Sequence, residues 1–277
     1  MKRKINILEK IQREIFKGFK RIYWFNYTRI KYYTLTLNKF IRQIEINNNK
    51  ISLLLPSKER SNKFKRMMDS LSSTVHDKSR IEILILFDKN EKEKDLYKDL
   101  IKNNFKNFDI KIFEENIVTH AKRNNFLAKK SIGGIIFPIN DDMIFVSKFW
   151  DYFIDLEFSK IDKNKPMCLW INSGKKYDYL HTDFPIVNKK WFETLNYIGS
   201  EHFNFWYLDT WICALSHISK RFIVTNKISV KQFSADTFEN EVDNTFLLNR
   251  KDGIPEKDFE IWNNTKNERK IEAKKLA

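Results

Sequence analysis

Two carboxylates stand side by side at Asp141 and Asp142, directly after the apolar run 135–139 (IIFPI). A run of that kind reads as a buried strand, so the pair sits where a strand leaves the core. Adjacent carboxylates repel each other, and withdrawing either from water is costly. A divalent cation relieves both problems. Oxygen ligands suit Mg2+ or Mn2+, and a cation held there could also bridge to a diphosphate. An ordinary acidic turn, with Asp141 capping the next segment, is the simpler alternative.

Another carboxylate, Asp209, lies inside the aromatic stretch Trp206-Tyr207-Leu208-Asp209-Thr210-Trp211. An acid so placed can take a proton from a bound hydroxyl, although an acid early in a helix is also explained by the helix dipole. His76, His120, His181, His202 and His217 share no metal-ligand spacing and read as structural or exposed. The chain offers no Ser-His-Asp order and no glycine-rich phosphate loop. Cys168 and Cys213 make neither a disulfide framework nor a ligand cluster, which points to a reducing compartment and two small core thiols.

The elements that must position these residues are legible from residue 51 onward. Run 51–56 (ISLLLP) reads as a buried strand, followed by a polar turn at 57–62 and a helix with Phe64, Met67, Met68 and Leu71 on one face. A second strand at 81–87 ends at Asp88. A charged helix is expected over 89–103, a third strand over 109–113, a helix over 119–130 and a fourth strand over 135–139. This alternation argues an α/β domain with a largely parallel sheet and its active edge at the strand C-termini. Beyond it, strands are expected near 167–171, 184–187 and 222–233, a helix over 205–219, and a charged surface helix after Pro255.

The 277 residues suit one α/β domain (49–250) with a basic arm (1–48) and a charged tail (251–277). Hydrophobic residues make up 42% of the chain, which excludes a disordered protein. No apolar run is long enough to span a membrane and no signal-peptide core is visible, so a cytoplasmic protein is expected. The net charge is +15, yet residues 1–50 carry 13 Lys/Arg against three Glu. The arm holds most of the positive charge. Its apolar residues Ile7, Leu8, Ile11, Ile15, Phe16 and Phe19 recur at helical spacing among Lys10, Arg13, Lys17 and Lys20. Such an arm packs on the body, lies on an anionic membrane surface, or binds DNA.

Run 134–145 (GIIFPINDDMIF) resembles the strand and acidic metal motif of GT-A glycosyltransferases, more closely the inverting family of many bacterial and phage enzymes. Run 51–60 (ISLLLPSKER) is similar to that family's first strand and donor loop, and run 84–88 to its second strand with a terminal aspartate. Run 121–125 (AKRNN) resembles the segment leading from the donor pocket to the metal strand, and 202–211 the segment with the catalytic aspartate. The resemblance covers roughly 51–235. It implies a Rossmann-like, mostly parallel sheet with helices on both faces. It further implies Mn2+ or Mg2+ at Asp142 and Asp141, and a donor site of Pro56, Ser57, Glu59, Arg60, Asp88, Arg123, Asn124, Asn140 and Asp141. Asp209 would be the general base. His181-Thr182-Asp183 would border the acceptor side.

Two positions depart from the family pattern. Asn140 stands where many relatives have Asp. Lys231 and Gln232 stand where a metal-binding His is common, so an amide oxygen or a phosphate-neutralising ammonium takes its place. The implied activity is transfer from a nucleoside-diphosphate sugar, a UDP-sugar being the commonest, to an acceptor hydroxyl with inversion. A surface glycan or lipid-linked sugar fits as acceptor, and so does a hydroxymethylated DNA base. A GT-A-like module that binds a nucleic acid or membrane surface without catalysis is the alternative. A two-carboxylate nuclease lacks a second acidic cluster.

Overall fold

The computed structural model describes residues 49–174, 181–233, 242–248, 250, 251 and 253–277. The basic helical arm expected at 1–48 lies outside the described residues.

The first half alternates as its hydrophobic pattern dictates. In chain order it runs β1 (Ile51–Pro56), α1 (Ser61–Thr74), β2 (Ile81–Phe87), α2 (Lys94–Asn104), β3 (Asp109–Glu114), α3 (His120–Lys130) and β4 (Ile135–Pro138). Strands β3, β2, β1 and β4 lie side by side in parallel, with Ile51 in register with both Ile81 and Ile135. All of β2 and the first five residues of β1 are buried, which is why both read as continuous apolar runs. Each fully buried Leu or Ile there contributes about 1.5–3 kcal/mol of burial free energy. α1 covers the sheet with Phe64, Met67, Met68 and Leu71, as the spacing predicts.

Gly133 is required by close approach. Its N–H donates to Ser52 Oγ at 2.9 Å, and a Cβ there would lie 2.5 Å from that oxygen and 2.6 Å from the Lys50 carbonyl oxygen. This lets the chain enter β4 directly beside β1.

The second half is β5 (Met143–Phe145), α4 (Trp150–Phe158), β6 (Cys168–Asn172), β7 (Ile186–Asn188), α5 (Lys189–Leu195), α6 (Leu208–Ser219), β8 (Phe222–Gln232), α7 (Asn244–Leu248), α8 (Ile254–Asn264) and α9 (Lys266–Leu276). The eight strands order as β3-β2-β1-β4-β7-β6-β8-β5. β7 is antiparallel to β4 and β6, β8 is parallel to β6, and β5 is antiparallel to β8. That last pairing returns Gln232 beside Met143, next to the acidic pair. A core of Trp170, Trp191, Trp211, Ile212, Leu215 and neighbours joins sheet and helices, with Cys168 and Cys213 as buried free thiols inside it.

Several elements differ from the sequence reading. The helix expected from residue 89 begins at Lys94, because 88–93 is a turn in which Glu91 N donates to the Asp88 carbonyl and Glu93 N to the Glu91 carboxylate, both at 3.0 Å. α4 carries buried acids at Asp151, Asp155 and Glu157, so it shows no simple amphipathic pattern. Asp151 accepts from the His76 and Asp77 amides, and Asp155 pairs with Arg80. The tail is not a surface appendage. α9 buries Ala273 and Leu276 against α5 and α6, and Tyr197 Oη donates to Glu272 Oε2 at 2.9 Å. No helix among the described residues is long and apolar enough to cross a membrane.

Candidate functional site

β1, β2 and β4 run parallel, and just beyond their C-terminal ends lie Ser57, Asp88 and Asn140-Asp141-Asp142. Pro56 ends β1 opposite Leu86, whose carbonyl then takes the Ser57 N–H at 3.1 Å. From there a chain of hydrogen bonds runs to Asp141. The Arg60 amide donates to Tyr97 Oη at 2.9 Å, the Tyr97 and Ser57 hydroxyls lie 2.7 Å apart, and Ser57 Oγ donates to Asp141 Oδ2 at 2.7 Å. Since the Ser57 proton is committed to Asp141, Tyr97 is the donor of the middle bond. Burial, and then the charge of Asp141, hold the Tyr97 hydroxyl well above its ordinary pKa, so it keeps that proton.

The other Asp141 oxygen accepts from Arg60 Nη1 at 3.0 Å. Arg60 Nη2 donates to Asp243 Oδ1 at 2.8 Å, and Lys63 Nζ to Asp243 Oδ2 at 2.6 Å. Burial works against the Arg60 charge, but Asp141 and Asp243 outweigh it and raise its pKa. Burial likewise works against ionised Asp243, but hydrogen bonds from Arg60 and Lys63 and from the Phe246 amide bring it down to about 2. Between these anchors Glu59 takes a left-handed φ of 49°, with its N–H held by both Glu91 carboxylate oxygens at 3.1 Å. Its own carboxylate pairs with Lys92 at 3.2 Å.

Asp142 is placed differently. It is 6% exposed, and among the described residues its carboxylate takes hydrogen bonds from the Gln232 amide alone, at 3.4 and 3.5 Å. Burial, then the adjacent Asp141, push its pKa up to about 6. A buried anion next to a second one, with weak hydrogen bonding of its own, fits a cation ligand. Lys231, opposite Ile144, is exposed, and the Asn140 carbonyl takes the Met143 N–H at 3.2 Å to close the turn.

Asp88 accepts from Arg123 Nη2 and pairs with Lys58 at 3.1 Å, while Arg123 Nε donates to the Ile117 carbonyl at 2.6 Å. Asn124, fully buried, donates to the His120 carbonyl at 3.0 Å, and its Oδ1 has no hydrogen-bond partner among the described residues. An unpartnered buried amide oxygen costs free energy unless something donates to it.

Asp209 lies in the first turn of α6 and is one-third exposed. Its Oδ1 accepts from the Thr210 amide at 2.7 Å, and its Oδ2 lies 3.2 Å from His181 Nε2, which is also 3.5 Å from Asp183 Oδ1. Burial opposes a charge on His181, but the hydrogen bonds to Asp183 and Asp209 outweigh it and push its pKa up to about 12. The donor atoms of His181, Asp183 and Asp209 fall within 4.8 Å of one another, a spacing that could hold a metal ion. With the imidazole protonated, the ring itself supplies the positive charge between the two carboxylates.

The fold has solved counterparts. A mannosyltransferase from Pyrobaculum calidifontis in complex with GDP-Man and Mn2+ superposes with a TM-score of 0.55 at 10% identity, covering 74% of this chain and 64% of that one. GalNAc-T7 with UDP, GalNAc and Mn2+ gives 0.55 at 12%, covering 66% and 43%. S. aureus TarS 1–349 gives 0.52 at 14%, covering 69% and 62%. The fold is GT-A. The chain thus spans less than two thirds of the length of each of these three. No family model and no curated protein sequence matches it.

Within this GT-A chain the residues singled out in the sequence fall into separate contact groups. Ser57, Arg60 and Asp141 are bonded together, with Asp142 adjacent. Asp88 and Arg123 pair apart from them, Asn124 bonds to His120, and Asp209 meets His181 and Asp183. Tyr97 and Asp243 escaped the sequence reading. The first looks like one aromatic in a charged helix, and the second lies about 180 residues from its partners Arg60 and Lys63.

Proposed function

We propose that this chain is a metal-dependent glycosyltransferase that moves a sugar from a nucleoside diphosphate to an acceptor hydroxyl with inversion at the anomeric carbon. The observation that carries this is the inequality of Asp141 and Asp142. One is bound into the donor loop by Ser57 and Arg60, and the other is a buried carboxylate with a raised pKa and little hydrogen bonding. Mn2+ or Mg2+ held at Asp142, with Asp141 behind it, would supply positive charge to the departing diphosphate.

The remaining roles belong to the chain's own side chains. The loop from Pro56 through Ser57 and Glu59 to Arg60, together with Asn140, frames the diphosphate. Asp88, Arg123 and Asn124 frame the nucleoside. Asp209 takes the proton of the acceptor hydroxyl as its oxygen bonds to the anomeric carbon. The bond from that carbon to the diphosphate breaks, and its electron pair leaves with the diphosphate. Asp209 Oδ1 already accepts from the Thr210 amide and hydroxyl, whereas Oδ2, beside His181, keeps a lone pair for that hydroxyl.

UDP-sugars are the first donors to try, and the solved neighbours bound to GDP-Man, UDP and UDP-GlcNAc put GDP-sugars beside them. The charge of residues 1–50 supports an anionic environment for a cytoplasmic enzyme, with a surface glycan, a lipid-linked sugar or a hydroxymethylated DNA base as acceptor. Thermal unfolding with a panel of nucleoside diphosphates, with and without Mn2+, tests the reading. One nucleotide should raise the melting temperature only when Mn2+ is present. A flat response from a well-folded chain would move the assignment to a non-catalytic binding module.

A further inference from the structure

The helix of Asp209 starts later than its sequence suggests. Helical pattern is expected from residue 205, yet α6 begins at Leu208, with Tyr207 before it in a left-handed conformation at φ 70°. The turn before it is held by the tail. Asp258, on α8 and fully buried, accepts four hydrogen bonds: Oδ1 from Asn204 N and Nδ2, both at 2.8 Å, and Oδ2 from Phe205 N at 2.9 Å and Trp206 N at 2.8 Å. The left-handed Tyr207 stops the helix from reaching further back, and the carboxylate satisfies the three amides of the turn just before it. One turn further along α8, Trp262 stacks on Tyr207 with ring centroids 5.3 Å apart, and Arg269 lies 3.6 Å above Trp262. Upstream, Asn125 Oδ1 takes the Ile198 and Gly199 amides at 3.0 and 3.2 Å, so the loop is held on both sides.

We infer that Asp258 is a positioning residue for Asp209: by gripping the backbone of 204–206 it fixes the turn that leads through Tyr207 into α6 and hence the direction of the Asp209 carboxylate. The inference rests on the reading of Asp209 as general base. A desolvated carboxylate is a costly way to dock a tail that already buries Ala273 and Leu276 against its neighbours. Its four neutral donors all belong to the segment that leads into Asp209. The C-terminal helices are on this view part of the frame of the site.

The test uses the full chain with Asp258→Asn and Asp209→Asn, singly and together. The amide introduced at position 258 is isosteric with the carboxylate, but its NH2 meets N–H donors and half the grip is lost. Hydrogen exchange at the amides of 204–210 should speed up at least tenfold in D258N, while the amides of β1, β2 and β4 keep their protection. Release of UDP from UDP-GlcNAc, or of GDP from GDP-mannose, with Mn2+ should show kcat falling about tenfold or more. Binding of UDP or GDP with Mn2+ should stay within twofold. D258N should add little to the loss already caused by D209N. Unchanged exchange at 204–210, an unchanged kcat, or equal losses in kcat and nucleotide binding would each overturn the role of Asp258. A D209N chain, or a wild-type chain, whose kinetics give Asp209 no part in turnover overturns the base reading and the inference resting on it.

Discussion

Arg60 Nη1 meets Asp141 Oδ1 at 3.0 Å while its Nη2 meets Asp243 Oδ1 at 2.8 Å, so one guanidinium joins the acidic pair to a segment far along the chain. That bridge neutralises Asp141, whereas Asp142 forms no ion pair among the described residues. The two residues of one short motif therefore have different consequences when changed.

Asp142→Asn should stabilise the cation-free chain above pH 6 while removing its response to Mn2+. A folded pKa raised to about 6 from 3.8 means that the native state binds more protons than the unfolded state between those values. Stability from this group is then present at low pH and lost as pH rises through 6, a loss of the order of 3 kcal/mol. Thermal melts across pH 4–8 should show the wild-type penalty disappear in D142N. Donor turnover should fall at least a hundredfold.

Arg60→Ala should destabilise by about 3–5 kcal/mol, the usual cost of stranding one partner of a buried ion pair. Two carboxylates, Asp141 and Asp243, lose their shared cation at once. Urea denaturation reads the loss, and R60A, D141N and the double variant give the coupling. Additive effects would show that the 3.0 Å contact carries no stability.

His181 should stay protonated at neutral and mildly alkaline pH. Its folded pKa, pushed up to about 12, lies above the unfolded value of 6.5. The charge contributes stability that is fully present below pH 6.5 and fades as pH climbs toward 12. Imidazole nitrogen shifts of labelled His181 should remain those of an imidazolium at pH 9, and Asp209→Asn should lower the titration. A neutral ring at pH 8 would refute the charge and leave the His181, Asp183 and Asp209 group open to a metal ion.

Gly199→Ala should destabilise by about 1–3 kcal/mol through overpacking. A Cβ at Gly199 would lie 2.0 Å from Leu208 Cδ1, at the first residue of the Asp209 helix. Leu208→Ala placed on top should recover part of the loss in chemical denaturation. No recovery would mean that the loop does not bear on the helix start there.

The parts of the fold set by continuous apolar runs were readable in advance. β1, β2 and β4 advertise burial on both faces, and the polar residues that follow them mark the strands' C-terminal edge, because a strand leaving the core must end in groups that tolerate water or a ligand. α4 was not readable, because its buried face includes Asp151, Asp155 and Glu157, which pattern reading assigns to solvent. The tail failed for the same reason, since the burial of Asp258, Arg269 and Glu272 depends on partners distant in sequence.

Local composition thus determined the order of strands and helices, the acidic pair at the end of β4 and the aromatic setting of Asp209, since hydrophobic period and turn chemistry act over a few residues. Only the packed chain decided that Asp141 belongs to Arg60 and Ser57, that Asp142 is left with the weak contact of Gln232, and that α6 begins at Leu208. Those outcomes depend on hydrogen bonds and ion pairs between groups about 50 to nearly 200 residues apart, whose strength comes from burial that no single segment can supply.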